Sequence, residues 1–315
     1  MNIITILGPT ASGKTRIAAL LASKIGGEII GADSRQVYKD MNIGTGKDYE
    51  DYIVENENIP FHLIDIKEAG DEYNVYEYQN DFIRVFKEIG DRTKIPILCG
   101  GSGLYIEAVL KGYKLINVPI NAELRAELEA HELPELVEIL SKMKVLHNMT
   151  DKVNKKRAVR AIEIELYYQQ NQNINENYPV LYPMIFGINY KREITKKRIT
   201  ERLEKRLDVG LIDEVSQLLE KGITHEKLLY YGLEYKYISK YLTSELDYKA
   251  MFERLNIAIH QFAKRQMTWF RRMERNGFQI HWIDGDLDEK VKLEMILSVL
   301  KGGEYCRLGV VGYEL

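Results

Sequence analysis

The chain has 315 residues, 45% of them hydrophobic and 29% charged, with a formal net charge of −3. That length buries a real core without staples, and it has room for two domains or one domain with a large insertion. Its two cysteines, Cys99 and Cys306, have neither metal-ligand spacing nor the density of a disulfide framework, which argues against a stapled secreted module and for the cytoplasm.

The opening apolar run, residues 3–7, is too short for a signal core or a membrane span and reads as a buried strand. Further strand-sized apolar runs fall at 28–32, 61–65, 95–99, 184–188 and 279–283. Helix-period segments at 14–25, 74–89 and 103–111 lie between the early ones. Strands alternating with helices predict right-handed crossovers and a parallel sheet, so the fold class is α/β. From 113 to 184 the pattern changes. Segments 121–131, 134–143 and 154–168 have helical periodicity with no strand between them; Asn121 suits an N-cap and Pro134 a first helical position. The polar run 169–179 reads as a return linker, and long helices follow at 191–207, 211–221 and 248–275. The predicted organisation is a core of residues 1–112 and 185–315, interrupted by a helical insertion over 113–184.

Gly8-Pro9-Thr10-Ala11-Ser12-Gly13-Lys14-Thr15 fits G-x-x-x-x-G-K-[ST] between the first strand and the first helix, the context a phosphate loop requires. Its backbone N–H groups and the helix N-terminus attract phosphate oxygens, Lys14 adds a point charge, and the Thr15 hydroxyl suits a magnesium ion. The core is therefore expected to be P-loop NTPase-like. The loop specifies a di- or triphosphate without specifying ATP. A phosphoryl-transfer enzyme also needs a metal-holding Asp at a strand end. Asp65, in His62-Leu63-Ile64-Asp65, is the candidate, with a turn role as the alternative; the run at 95–99 ends in Cys99 and offers none. Cys99 itself reads as a small buried residue.

The second strand ends in Asp33-Ser34-Arg35-Gln36. Open α/β sheets bind ligands outside the carboxyl ends of their strands, so Asp33 shares an edge with the phosphate loop. A carboxylate there either holds a metal, takes a proton or caps a turn; the pattern leaves these open. Lys and Arg cluster at 152–160, 191–206 and 264–275, either as solvated helix faces or as a surface tracking RNA phosphates. Arg198 and Arg202 are spaced i, i+4 and share one helix face.

Seven pieces, in order along nearly the whole chain, resemble the tRNA dimethylallyltransferase family: GPTASGKT at 8–15, ADSRQVYKDMNIGTGK at 32–47, FHLIDI at 61–66, PILCGGSGLYI at 96–106, KRAVRAIE at 156–163, GLIDEV at 210–215 and FAKRQMTWFRR at 262–272. The resemblance implies transfer of a dimethylallyl group from dimethylallyl diphosphate to N6 of the adenine 3′ of the anticodon, position 37, in tRNAs reading codons that start with U. It implies Asp33 as general base. Thr10, Lys14 and Arg202 would stabilise the departing diphosphate, Arg198 would be a weaker phosphate contact, and Mg2+ would be the cofactor. For tRNA it implies contacts from Asp33, Ser34, Arg35, Gln36 and Ser102 at the base, and from Arg125, Lys156, Arg157, Arg160, Lys264 and Arg265 at the backbone. Trp269 reads as core more than as a stacking surface. A monomer is expected.

Departures from the family pattern concentrate on the acceptor side. Leu229-Tyr230-Tyr231-Gly232-Leu233-Glu234-Tyr235 stands where relatives have Arg-x-x-Gly-Tyr-Lys-Glu, and Ile259-His260 replaces Thr-Arg. Tyr230 and Tyr231 are expected to replace the lost Arg contact by stacking on a loop base. Three other readings use the same core: a small-molecule kinase with Asp65 on the metal, a prenyltransferase acting on a free adenine nucleotide, and a nucleotide-gated RNA-binding protein without product.

Overall fold

A computed structural model describes residues 1–143, 154–171 and 178–302. Cys306 and most of the polar return linker lie outside the described residues. Two compact units emerge: Met1–Tyr113 with Pro179–Leu315, and Lys114–Tyr178.

The larger unit is built on a six-stranded parallel sheet in the order β5-β2-β6-β1-β7-β8. Its strands are β1 (Ile3–Leu7), β2 (Gly27–Ala32), β5 (Phe61–His62), β6 (Ile95–Gly100), β7 (Pro183–Asn189) and β8 (Ile280–Asp284). A small antiparallel hairpin, β3 (Ile53–Val54) and β4 (Glu57–Asn58), precedes β5. β1 is central and buried throughout, as an Ile-rich strand covered on both faces must be. Alternation along it decides the two layers. Ile3 and Leu7 join a core with α2 (Val75–Asp91), α3 (Gly103–Leu110), α7 (Arg192–Asp208), α8 (Leu211–Glu220) and α11 (Tyr248–Arg275). Ile4 and Ile6 join the opposite core with α1 (Lys14–Ile25) and α12 (Glu289–Gly302). All six expected strands are present. The expected strand 61–65 stops after two residues, because Leu63 and Asp65 take positive φ angles of 60° and 55°, which no strand accommodates. Two short helices, α9 (His225–Tyr231) and α10 (Leu233–Leu242), and the terminal α12 have no counterpart in the sequence reading.

The smaller unit consists of α4 (Ala122–Glu129), α5 (Leu133–Met143) and α6 (Lys155–Gln170) around Leu128, Leu136, Leu140, Val159 and Ile162. Asn121 caps α4 by accepting from the Leu124 N–H, and Asn154 caps α6 in the same way through Arg157. Glu163, nearly fully buried, ties the unit together. It accepts the Asn121 N–H at 2.8 Å and a two-pronged contact from Arg125 at 3.1 and 2.7 Å, and it pairs with Arg160. Burial alone would raise this carboxyl, but Arg125, the Asn121 N–H and Arg160 together hold it down at about 2. The paired charge thus contributes stability above the ordinary Glu range near 4.5, and the contribution is lost as pH falls towards 2. Glu163→Gln is expected to make proteolysis at neutral pH faster across 114–178 and to flatten the acid limb of that unit's unfolding curve. An unchanged limb would remove Glu163 from that role.

Candidate active site

The phosphate loop leaves β1 at its carboxyl end. Gly13 is the last loop residue before α1 and has a φ of 74°, a left-handed angle that costs a glycine little and most residues more. Gly8 and Pro9 are buried in the turn. Of the expected phosphate contacts, Thr10 through Thr15 line the cavity, and Gly8 and Pro9 lie at the base of the loop. The Lys14 ammonium donates to the Pro9 carbonyl at 3.3 Å, and burial lowers its pKa while Cys99 and Asp33 act to raise it. Burial drives the Cys99 thiol up to about 12, so it is a packed thiol with no nucleophilic character at neutral pH.

The loop opens into a cavity of about 1150 Å³. Asp33, Ser34, Arg35 and Gln36 line it alongside the phosphate loop, so the carboxylate and the anion site face one space. Asp33 uses one oxygen to accept the Arg35 N–H at 2.9 Å, closing an Asx turn. One carboxylate thus caps a turn and still presents its other oxygen to the cavity. Ser102, at the head of α3, accepts the Ser34 N–H at 2.9 Å and holds this turn in place. Gln36 donates to the carbonyl of Gly46 at 2.9 Å, while the Arg35 guanidinium lies 5.0 Å over the Tyr230 ring.

Three arginines of α7 follow the cavity wall at helical spacing. Arg198 donates to the Ala11 carbonyl at 2.9 Å and lies 4.5 Å over the Tyr190 ring. Arg202 pairs with Asp48 at 2.5 Å, and Arg206 faces Glu234 at 3.5 Å. Arg198, expected as the weaker phosphate contact, is the arginine bonded to the loop itself.

Several expected roles are corrected by packing. Tyr231 is fully buried, edge-on to Tyr38, and its hydroxyl accepts the Gly70 N–H at 2.7 Å and donates to the Asp71 carbonyl at 2.8 Å. A ring fixed in this way does not stack on an RNA base. Tyr230, the preceding residue, is 43% exposed and lines the cavity. Asp65 accepts from Lys47 and from the Tyr49 hydroxyl, both at 2.5 Å, and does not line the cavity. It therefore serves the turn, as the alternative reading held, and the kinase reading loses its metal ligand. Arg125 and Arg160 pair with buried Glu163 while their side chains stay 31% and 38% exposed, and Lys156 and Arg157 are exposed on the same segment. Lys264 and Arg265 are exposed on α11, with Arg265 at the cavity. Trp269 is half-buried against Gly103, with Arg272 3.9 Å over its ring, and it also lines the cavity.

Two side chains that the sequence reading passed over build the site. Gln266, buried in α11, accepts the Thr10 N–H at 2.8 Å and donates to the Gly101 carbonyl at 2.9 Å, strapping the phosphate loop to the turn after β6. Glu214 of α8 accepts the N–H groups of Asn42, Ile43 and Gly44 at 2.8, 2.6 and 2.9 Å, and the Tyr235 hydroxyl at 2.7 Å. It fixes the loop that carries Gly46 to the arginine wall. The motifs KRQ and GLIDEV contained both residues, but the backbone groups they bind lie more than 150 residues away.

A parallel sheet with a phosphate loop, a carboxylate beside it and an arginine-lined wall defines a P-loop α/β protein with a cation-rich cavity at the carboxyl edge of its sheet. The family model "IPP transferase" matches residues 36–273. "tRNA dimethylallyltransferase 2" of Phocaeicola vulgatus is 52% identical over 299 residues, covering 95% of this chain and 97% of that protein. "tRNA dimethylallyltransferase 1" of Parabacteroides distasonis is 55% identical over 300 residues, with the same coverage of 95% and 97%. The full-length tRNA isopentenylpyrophosphate transferase of Bacillus halodurans superposes with a TM-score of 0.69 at 31% identity, covering 96% of each chain. A eukaryotic dimethylallyltransferase, solved acting on tRNA, shares the fold at a TM-score of 0.77 and 22% identity, over 99% of this chain and 81% of that one. The chain belongs to the tRNA dimethylallyltransferase family. Among the described residues, no helix is long and apolar enough to cross a membrane.

Proposed function

We propose that this enzyme transfers the dimethylallyl group of dimethylallyl diphosphate to N6 of the adenine 3′ of the anticodon, position 37, in tRNAs reading codons that start with U. The observation that carries the reading is the single cavity shared by the phosphate loop and Asp33. An exocyclic adenine amine is a weak nucleophile, because its lone pair is delocalised into the ring. The free Asp33 oxygen is the group available to take its proton as the C–N bond forms. On the other side, the allylic C–O bond breaks and negative charge collects on the diphosphate. Lys14, the loop N–H groups, the Thr10 hydroxyl, Arg198 and Arg202 are arranged to stabilise that charge.

Magnesium fits the donor set. The Thr15 hydroxyl and the Asp51 carboxyl line the cavity as hard oxygen ligands. Thr15 would hold the ion together with the donor's own phosphates. Bound there, it would neutralise diphosphate charge.

The acceptor base must leave its stack to enter such a cavity, at a cost of a few kcal/mol. Arg35 over Tyr230 offers a face for a splayed neighbour, and Lys156 and Arg157 offer phosphate contacts. Replacing Lys156 and Arg157 by Gln is expected to reduce the slope of log K against log[salt] for tRNA by roughly 1–2, with donor affinity unchanged. An unchanged slope would return both residues to a solvated helix face. The function itself is tested by incubating enzyme, donor and unmodified tRNA, digesting the RNA and locating the added mass. The expected product carries it on N6 of the adenine following the anticodon. Mass on another base, or donor turnover with ATP or AMP alone, would contradict the reading.

A further inference from the structure

The three arginines on the α7 wall are not neutralised alike. Arg202 and Arg206 face the carboxylates of Asp48 and Glu234. Arg198 forms no ion pair among the described residues, and its one side-chain hydrogen bond there runs from Nε to the Ala11 carbonyl at 2.9 Å. Its terminal nitrogens therefore keep their donors. One of them lies 4.0 Å from where a Cβ on Gly13 would stand, at the head of α1, and Arg198 lines the cavity with the phosphate loop.

An aromatic ring holds this guanidinium where the other two have carboxylates. Tyr190 directly follows β7, and its ring centre is 4.5 Å from the Arg198 guanidinium carbon. The ring is itself held. Gly285, directly after β8, donates its N–H to the Asn189 carbonyl at 2.7 Å, and a Cβ there would stand 2.3 Å from the Tyr190 ring, so only glycine leaves the ring this place. The Thr195 hydroxyl, in the first turn of α7, donates to the Tyr190 carbonyl at 3.4 Å and ties residue 190 to the helix that carries Arg198. A second cation shares the ring: the ammonium of Lys292, a residue only 6% exposed, lies 5.7 Å from its centre. A carboxylate in place of Tyr190 would cancel the charge of Arg198. The negative face of a ring orients the guanidinium and leaves its charge and terminal donors for an anion.

We propose that Tyr190 is a positioning residue for the donor: its ring and the Ala11 carbonyl together clamp the Arg198 guanidinium, so that an unneutralised arginine is set at the phosphate loop before the diphosphate arrives. The proposal rests on the prenyl-transfer reading above. Tyr190 does not line the cavity and acts only through Arg198. Ordering a free arginine side chain at the moment of binding would weaken affinity, and the clamp orders it on folding instead.

The test is a double-mutant cycle read by calorimetric titration of inorganic pyrophosphate into the wild type, Tyr190→Leu, Arg198→Met and the double variant. Thermal unfolding first establishes that all are folded, with Tyr190→Met standing in for Tyr190→Leu if the latter is not. Arg198→Met is expected to weaken pyrophosphate by ~10–100-fold, the range of a charged hydrogen-bond contact. Tyr190→Leu is expected to weaken it by ~3–30-fold, the range of a partly buried cation–π contact. Tyr190→Phe, which keeps the ring, should bind within about twofold of wild type. In the Arg198→Met background the Tyr190→Leu change should have no further effect, because nothing is left for the ring to hold. Wild-type affinity in Tyr190→Leu, or the same loss with and without Arg198, would overturn the proposal and make Tyr190 a packing residue. An Arg198→Met variant that bound as tightly as wild type would overturn it as well. Each of these results leaves the prenyl-transfer reading standing, whereas a wild-type protein that bound no pyrophosphate would remove that reading and the clamp with it.

Discussion

Asp33→Asn is expected to fold normally, bind donor normally and lose kcat by ~10²–10⁴-fold, the range for removing a general base. The substitution is a clean probe because of the Asx turn. Asp33 accepts the Arg35 N–H at 2.9 Å through one oxygen, and an Asn side-chain carbonyl accepts that bond equally well. The Ser34–Ser102 contact next to it is untouched. What disappears is the charge and the basicity of the second oxygen. The loss should therefore fall on kcat, with the KM for donor within a few-fold of wild type. Asp33→Ala should do worse, since it removes the turn as well. A kcat within a few-fold of wild type for Asp33→Asn would take Asp33 out of the chemistry and leave it as a turn residue.

Lys14→Ala is expected to lower kcat/KM for the donor by roughly 10²–10³-fold, the size of one oxyanion contact in an enclosed site. The pH dependence gives an independent check. Burial lowers the Lys14 pKa in the free enzyme, and a bound diphosphate would raise it. Donor affinity is then complete below the pKa of the free enzyme and falls as pH climbs from that value to the higher one of the complex. Binding should take up protons across this window, which calorimetry in buffers of different ionisation enthalpy measures directly. Lys14→Ala should abolish the uptake. Uptake that persisted in the variant would belong to another group.

The loop-to-helix signal at 8–15, the six strands and the long helices were legible because each is set by residues close in sequence. Asp33 was legible for the same reason, since a strand end beside a phosphate loop follows from topology. Gln266 and Glu214 were not, because what they do depends on N–H groups brought to them from 256 and about 170 residues away. Tyr230 and Tyr231 show a second limit. Adjacent helical residues point about 100° apart, so of a Tyr-Tyr pair one entered the core and the other the cavity. Asp65 shows a third: a left-handed φ of 55° turned an apparent strand end into a partner for Lys47. The family pattern located the arginines of α7, and only their packing separated Arg198 on the loop from Arg206 at Glu234.

The central claim is that this cavity joins a prenyl diphosphate to an adenine presented by RNA. The most direct measurement is kcat/KM with labelled dimethylallyl diphosphate, for an unmodified anticodon stem-loop and for AMP in parallel. The stem-loop is expected to be the far better acceptor, because the exposed cations and Tyr230 have nothing to hold on a mononucleotide. Equal efficiency with AMP would contradict a tRNA acceptor, and no transfer to either would contradict the enzyme's proposed chemistry.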